Sequence, residues 1–195
     1  MLHFDAQRAD AEGLLLVVFT TVSSSSESTG SGASQTFSRL KPLRVWMATA
    51  RQNLGAFGEE RVVKQCSCPR CKRMRTLVRL PTNFKCADVI CDFCGYLAQV
   101  KAATVKDISV VPAQVMGAAW GPQRERMEAA IYFPLFLVLA TVEPVTHAIY
   151  YLSADLQAPA MFKPRNPLST TARRAGWTGF HYDLRAVRAA FVRLI

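Results

Sequence analysis

The stretch CSCPRCKRMRTLVRLPTNFKCADVICDFCGYLAQVK, residues 66–101, decides how the rest of the chain is read. It holds all six cysteines of the protein: Cys66, Cys68, Cys71, Cys86, Cys91 and Cys94. Four of them form Cys68-Pro-Arg-Cys71 and Cys91-Asp-Phe-Cys94, two CxxC pairs separated by 19 residues. A CxxC turn sets two thiolates on one side of a tight knuckle. Two knuckles then supply the tetrahedral four-thiolate set that structural Zn2+ prefers. The competing reading, a disulfide set, needs an oxidising compartment. Cys66 and Cys86 lack a matching spacing and read as plain buried thiols. Four filled positions leave no room for a water, so a zinc ribbon at residues 66–94 is structural.

A second pattern runs through the same stretch. Asp88 precedes the second knuckle, and Gln99-Val100-Lys101 follows it in an apolar, alternating run. With residues 84–90 and 96–101 as antiparallel strands, Asp88 and Gln99 lie side by side. Gln99 and Lys101, two apart, project from one face. A carboxylate, a second oxygen donor and a lysine then meet. That set suits Mg2+-assisted phosphodiester hydrolysis: Asp88 holds the ion, and Gln99 with the Val100 carbonyl completes the oxygen shell. Lys101 positions or activates a water and offsets developing negative charge. Alone, the spacing D-x10-Q-x-K is short and equally fits a solvated strand face.

Outside this stretch, 195 residues with 50% hydrophobic content suit one domain with an ordinary core. The net charge is +10 and uneven. Residues 1–38 carry Arg8 against Asp5, Asp10, Glu12 and Glu27, whereas the remaining 157 residues carry 23 Lys+Arg against 10 Asp+Glu. The polyanion partner this implies, with nucleic acid first and an anionic membrane surface second, belongs after residue 38. The apolar run at residues 14–22 is too short to span a bilayer and has acidic rather than basic residues before it, unlike a secretory signal. Residues 131–142, interrupted by Pro134, are also too few for a membrane helix. The expectation is a cytoplasmic protein.

The remaining pattern predicts a helix over 54–64, a polar helix over 123–130, a buried central strand over 136–142 and another strand over 147–152. Asp183 is placed to cap a final helix with Val187, Phe191 and Leu194 on one face. This order gives a mixed α/β (α+β) core. The basic run Arg70, Lys72, Arg73, Arg75 and Arg79 falls on an expected strand, where it either tracks a DNA backbone or protects a sheet edge. Arg173 and Arg174 follow Ser169-Thr170-Thr171, a helix-cap context. They fit phosphate contact and a fold-back onto an acidic or carbonyl partner equally well. Trp177 reads as a core anchor before it reads as a wedge between bases.

Gly58-Glu59, Cys68-Pro-x-Cys71, Ala87-Asp88, Cys91-x-x-Cys94, Gln99-Val100-Lys101 and Gly117-Ala118 recur in this order in one known family. So does the string Pro167-Leu168-x-x-Thr171-Ala172-Arg173-Arg174-Ala175-Gly176-Trp177-x-Gly179. Over about two-thirds of its length the chain resembles the Dam-replacing family, the Dpn-type methyl-directed type II restriction endonucleases. The resemblance implies a PD-(D/E)xK nuclease core, at residues 47–195; residues 1–46, with their Ser/Thr/Gly-rich segment, read as a disordered or non-native extension. It also implies Mg2+-dependent cutting of double-stranded DNA near an adenine-methylated GATC-like site. By position it makes Asp88, Gln99 and Lys101 the catalytic set, with Glu59 a helper near the metal, and Cys68, Cys71, Cys91 and Cys94 the zinc set.

Two departures qualify it. The family usually carries Glu where this chain has Gln99, and an amide gives up one negative charge at the metal. A non-cleaving, zinc-stabilised DNA-binding protein is therefore the alternative expectation. The Dpn-type enzymes also carry a winged-helix reading domain after the core, whereas this sequence runs to Ile195. That makes a separate recognition partner the expectation.

Overall fold

A computed structural model describes residues 49–81, 84, 87–142 and 145–195. The expected extension at 1–46 and the thiol of Cys86 lie outside them. The first element, α1 (Ala50–Gln65), begins at a capping box in which Thr49 and Gln52 exchange side-chain and backbone bonds. It stops where Cys66 turns extended. The strands β1 (Leu77–Arg79), β2 (Val89–Cys91) and β3 (Leu97–Thr104) form an antiparallel meander. Next come β4 (Gln114–Ala119), α2 (Trp120–Glu128), β5 (Leu135–Ala140) and β6 (His147–Leu152), then β7 (Phe162–Pro164), β8 (Gly179–Asp183) and β9 (Val192–Arg193).

These strands make a mixed six-stranded sheet, β1-β2-β3-β5-β6-β9, and a separate antiparallel sheet, β4-β8-β7. The only parallel pair among the described strands is β3 with β5, where Gln99 lies opposite Leu135 and Lys101 opposite Leu137. Every residue of β5 is buried, so it reads as a continuous apolar run, as a central strand covered on both faces must. Its pleat divides the core. Leu135, Leu137 and Leu139 join the apolar cluster under the second sheet, with Phe162, Phe180 and Tyr182. Phe136 and Val138 join the cluster under α1 and the cysteine ribbon, with Val62, Leu77 and Val89. Gly58 brings α1 onto this second face. A Cβ there would stand 2.9 Å from that of Ala102.

The expected α/β class, both first helices and both central strands are present, with boundaries moved by a few residues. Three expectations are corrected. The final α-helix is a 3-10 helix, Arg185–Ala190. Asp183 ends β8 one residue before the cap position, which Leu184 takes, and its carboxylate accepts from the Arg185 guanidinium at 2.6 and 2.9 Å and from the Arg185 backbone N–H at 3.3 Å. The cap context at Ser169-Thr170-Thr171 opens no helix either. Ser169 and Thr171 bond each other at 3.1 Å, and Leu168 N–H donates to the Trp177 carbonyl, closing a loop. Finally, the basic run from Arg70 to Arg79 is not one strand. Only its last part is β1; Arg70, Lys72, Arg73 and Arg75 sit on the knuckle, and Lys72 and Arg75 adopt left-handed φ of 62° and 58°.

Candidate functional site

The two knuckles share one construction. In the first, Lys72 N–H donates to the Cys68 carbonyl and Cys68 N–H to that of Arg73, both at 2.9 Å. In the second, Gly95 N–H donates to Cys91 at 2.9 Å and Cys91 N–H to Tyr96 at 2.8 Å. Each closes on a residue of positive φ, Lys72 at 62° and Gly95 at 70°. Folding them together brings the sulfurs of Cys68, Cys71, Cys91 and Cys94 within 4.8 Å of one another. The Cys68–Cys94 and Cys71–Cys91 separations are 3.6 and 3.7 Å. Tetrahedral Zn–S bonds of about 2.3 Å require sulfurs about 3.8 Å apart, so the set is compatible with structural zinc. Burial pushes the Cys68 thiol up to about 12. At Cys91 burial acts the same way, but Thr76 and the backbone N–H groups of Cys94 and Phe93 outweigh it and bring the thiol down to about 6. Cys66 stays apart, a buried thiol that burial raises to about 11.

The second set forms on the neighbouring strands. Val89 pairs with Ala98, and Asp88 N–H donates to the Ala98 carbonyl at 3.0 Å, which sets Asp88 beside Gln99. Because Ala98 and Val100 face the α1 cluster, Gln99 and Lys101 face the second sheet. Asp88 Oδ2 accepts from Val100 N–H at 2.7 Å and from Lys101 Nζ at 3.1 Å. Lys101 Nζ also donates to the Val100 carbonyl at 2.9 Å. The Gln99 amide oxygen accepts from the Tyr182 hydroxyl at 2.5 Å. Tyr182 had no signal in the sequence, where a tyrosine in an apolar run reads as core. Burial and then the charge of Asp88 raise its phenol above the ordinary value.

Asp88 and Glu59 line one cavity of about 410 Å³ between α1 and the strand ends. Glu59 is engaged there by Arg79, whose Nε and Nη2 reach its Oε2 at 2.8 and 2.6 Å. The candidate phosphate contacts fall elsewhere. Arg73 stacks over the Phe93 ring at 3.6 Å, Arg75 is exposed on the knuckle, and Arg173 and Arg174 are exposed on the 168–177 loop. Trp177 is half-buried, and a Cβ on Gly179 would stand 2.8 Å from its ring. Among the described residues no helix is long and apolar enough to cross a membrane.

The domain is thus a mixed α/β fold with a four-cysteine cluster compatible with zinc, and Asp88, Gln99 and Lys101 stand on the adjoining strands. The profile of the DpnI, Dam-replacing family matches residues 45–195, and the chain belongs to that family. The family is one of restriction endonucleases, which makes DNA the implied partner.

Proposed function

We propose that the chain is a Mg2+-dependent DNA endonuclease of type II with a PD-(D/E)xK core and a structural zinc ribbon. Its proposed target is double-stranded DNA at adenine-methylated GATC-like sites. The observation that carries this reading is the Lys101–Asp88 ion pair at 3.1 Å, with Gln99 beside Asp88 by strand register, in a member of the Dam-replacing family. The donor set fits Mg2+ by its chemistry, because the Asp88 carboxylate, the Gln99 amide and the Val100 carbonyl are all hard oxygens. Mg2+ bound there would polarise the phosphodiester and lower the pKa of an attacking water. The chain's own part is to hold that oxygen set in place. Lys101 orients the water and offsets the charge that grows on the phosphate.

Glu59, across the cavity from Asp88, serves as an accessory carboxylate. Cys68, Cys71, Cys91 and Cys94 hold the zinc, and Arg73, Arg75, Arg173 and Arg174 contact phosphates. The test is purified protein with Mg2+ or Mn2+ on dam-methylated and unmethylated plasmid. Cutting by wild type and none by Asp88→Asn supports the reading; no cutting of either plasmid sinks it. Metal analysis should return about one equivalent of zinc, and Cys91→Ser should lose both the zinc and the fold.

Gln99 favours a second reading, a non-cleaving relative that still binds DNA, since the amide lacks the charge a glutamate would bring to the cation. That reading expects salt-sensitive DNA binding with no Mg2+ uptake at Asp88.

A further inference from the structure

Arg79 is the last residue of β1, and strand pairing sets it opposite Val89, the neighbour of Asp88. The next peptide ties the two strands at the site itself, where Leu80 N–H donates to the Asp88 carbonyl at 3.0 Å. Arg79 shares its strand face with Leu77, two residues earlier, which is buried in the cluster under α1. Its side chain therefore rises toward α1 and lines the cavity that Asp88 and Glu59 line. Arg70, Lys72, Arg73 and Arg75 precede β1 and stay on the knuckle.

The wall of this cavity is acidic. Two carboxylates and one guanidinium line it, with no other ionisable side chain among the described residues. Lys101 is not part of the lining, and its ammonium is engaged by Asp88 and the Val100 carbonyl. Among the described residues, Arg79 is thus the one cation on that wall to face a phosphate brought up to Asp88.

Glu59 uses only part of the Arg79 guanidinium. A guanidinium carries five N–H donors in a rigid fork. Nε and Nη2 both reach Glu59 Oε2, so the contact takes the side edge of the fork. The end edge, with both hydrogens of Nη1 and the second of Nη2, has no partner among the described residues. An edge of that kind meets two oxygens of a phosphate at once. The Arg79 side chain is 49% exposed and that of Glu59 23%, so the guanidinium is the more open member of the pair.

We propose that Arg79 binds a DNA phosphate beside Asp88 through the guanidinium edge that Glu59 leaves free. This role rests on the DNA-cleavage reading. It supplies the cavity with a substrate contact, since Arg73, Arg75, Arg173 and Arg174 lie elsewhere.

The experiment is anisotropy binding of a fluorescent duplex with an adenine-methylated GATC site to the zinc-loaded protein. No divalent ion is added, so nothing is cut, and salt is varied. Melting temperature and zinc content are followed in parallel. Arg79→Gln should bind about tenfold more weakly and lower the slope of log affinity against log salt by about 0.9, the share of one phosphate. Glu59→Gln breaks the same ion pair but keeps the guanidinium, so it should keep the wild-type slope. An unchanged slope in Arg79→Gln, or an equal loss in both variants, overturns the proposal. If wild type shows no salt-sensitive binding, the DNA reading falls and the role of Arg79 with it. If wild type binds and cuts plasmid while Arg79→Gln keeps its affinity and slope, only the role of Arg79 falls. Should Arg79→Gln fail to fold, Arg79→Lys replaces it, because an ammonium keeps the ion pair with Glu59 but has no planar fork for a phosphate. It should still bind about tenfold more weakly, and binding within about twofold of wild type overturns the proposal.

Discussion

The ammonium of Lys101 lies 3.1 Å from Asp88 Oδ2 and 2.9 Å from the carbonyl oxygen of Val100. It therefore bridges two of the three oxygens assigned to Mg2+ in the proposed site. Both side chains are largely shielded, at 18% exposed for Lys101 and 30% for Asp88, so the pair is less screened than a surface ion pair. Without a divalent ion, the lysine is the counter-cation of the aspartate.

Lys101→Met should separate the two roles of this lysine. Cleavage should fall by about 10²–10³, the usual loss when one charge-stabilising donor is removed. Mg2+ affinity measured by calorimetry should hold or rise, because a competing cation has left the oxygens. A variant that binds Mg2+ more weakly than wild type would contradict the bridging role.

Gly58→Ala tests the packing that aligns α1 with β3. The added methyl would lie 2.9 Å from the Ala102 Cβ, both in an apolar layer with little room to yield. Overpacking of this kind costs about 1–3 kcal/mol, read as a lower midpoint in urea unfolding. A midpoint equal to that of wild type would show that the helix moves freely over the sheet.

His147 predicts a pH dependence of stability. Its Nε2 lies 2.8 Å from the Gln65 side-chain oxygen, and its ring meets Phe57 edge-on at 5.8 Å. Burial, and then the charge of Arg61, lower its pKa from 6.5. The folded state thus prefers neutral imidazole, and the unfolded chain takes up the proton first as pH falls. Its stabilising contribution should be complete above about pH 6.5 and should be lost as pH drops through the lower folded value. Denaturant midpoints between pH 7.5 and 5 measure this, and His147→Gln should flatten that part of the curve.

Arg173 and Arg174 are exposed on a loop closed by Leu168 and Trp177. For phosphate contacts, each Arg→Ala change should reduce the salt dependence of DNA binding by about one counterion, with melting temperature unchanged. A fall in melting temperature with an unaltered salt slope would assign them to the fold instead.

Much of this was legible along the chain because the signals were local. The Cys68–Cys71 and Cys91–Cys94 spacing, the all-apolar β5 and the Gln99–Lys101 alternation each lie within a few residues, where turn geometry or strand pleat fixes the outcome. The errors were local in form as well. Asp183 and Ser169 have the chemistry of helix caps, but Arg185 takes the carboxylate of one and Thr171 the hydroxyl of the other. The chemistry of a cap favours a helix start but does not by itself make one.

The sequence by itself determined the four-thiolate ribbon, the mixed α/β class and the set Asp88, Gln99 and Lys101. Short-range spacing specifies the ribbon and the strand pattern, whereas Asp88, Gln99 and Lys101 stand out as a set only through the resemblance to the Dam-replacing family. Only the tertiary structure decided that Lys101 sits between the Asp88 and Val100 oxygens. It alone also brought Tyr182, 83 residues away in sequence, onto the amide of Gln99. No local period encodes such a contact. It arises because the pleat of β3 turns Gln99 and Lys101 toward the second sheet, and because burying that sheet's aromatic face carries one hydroxyl into the site.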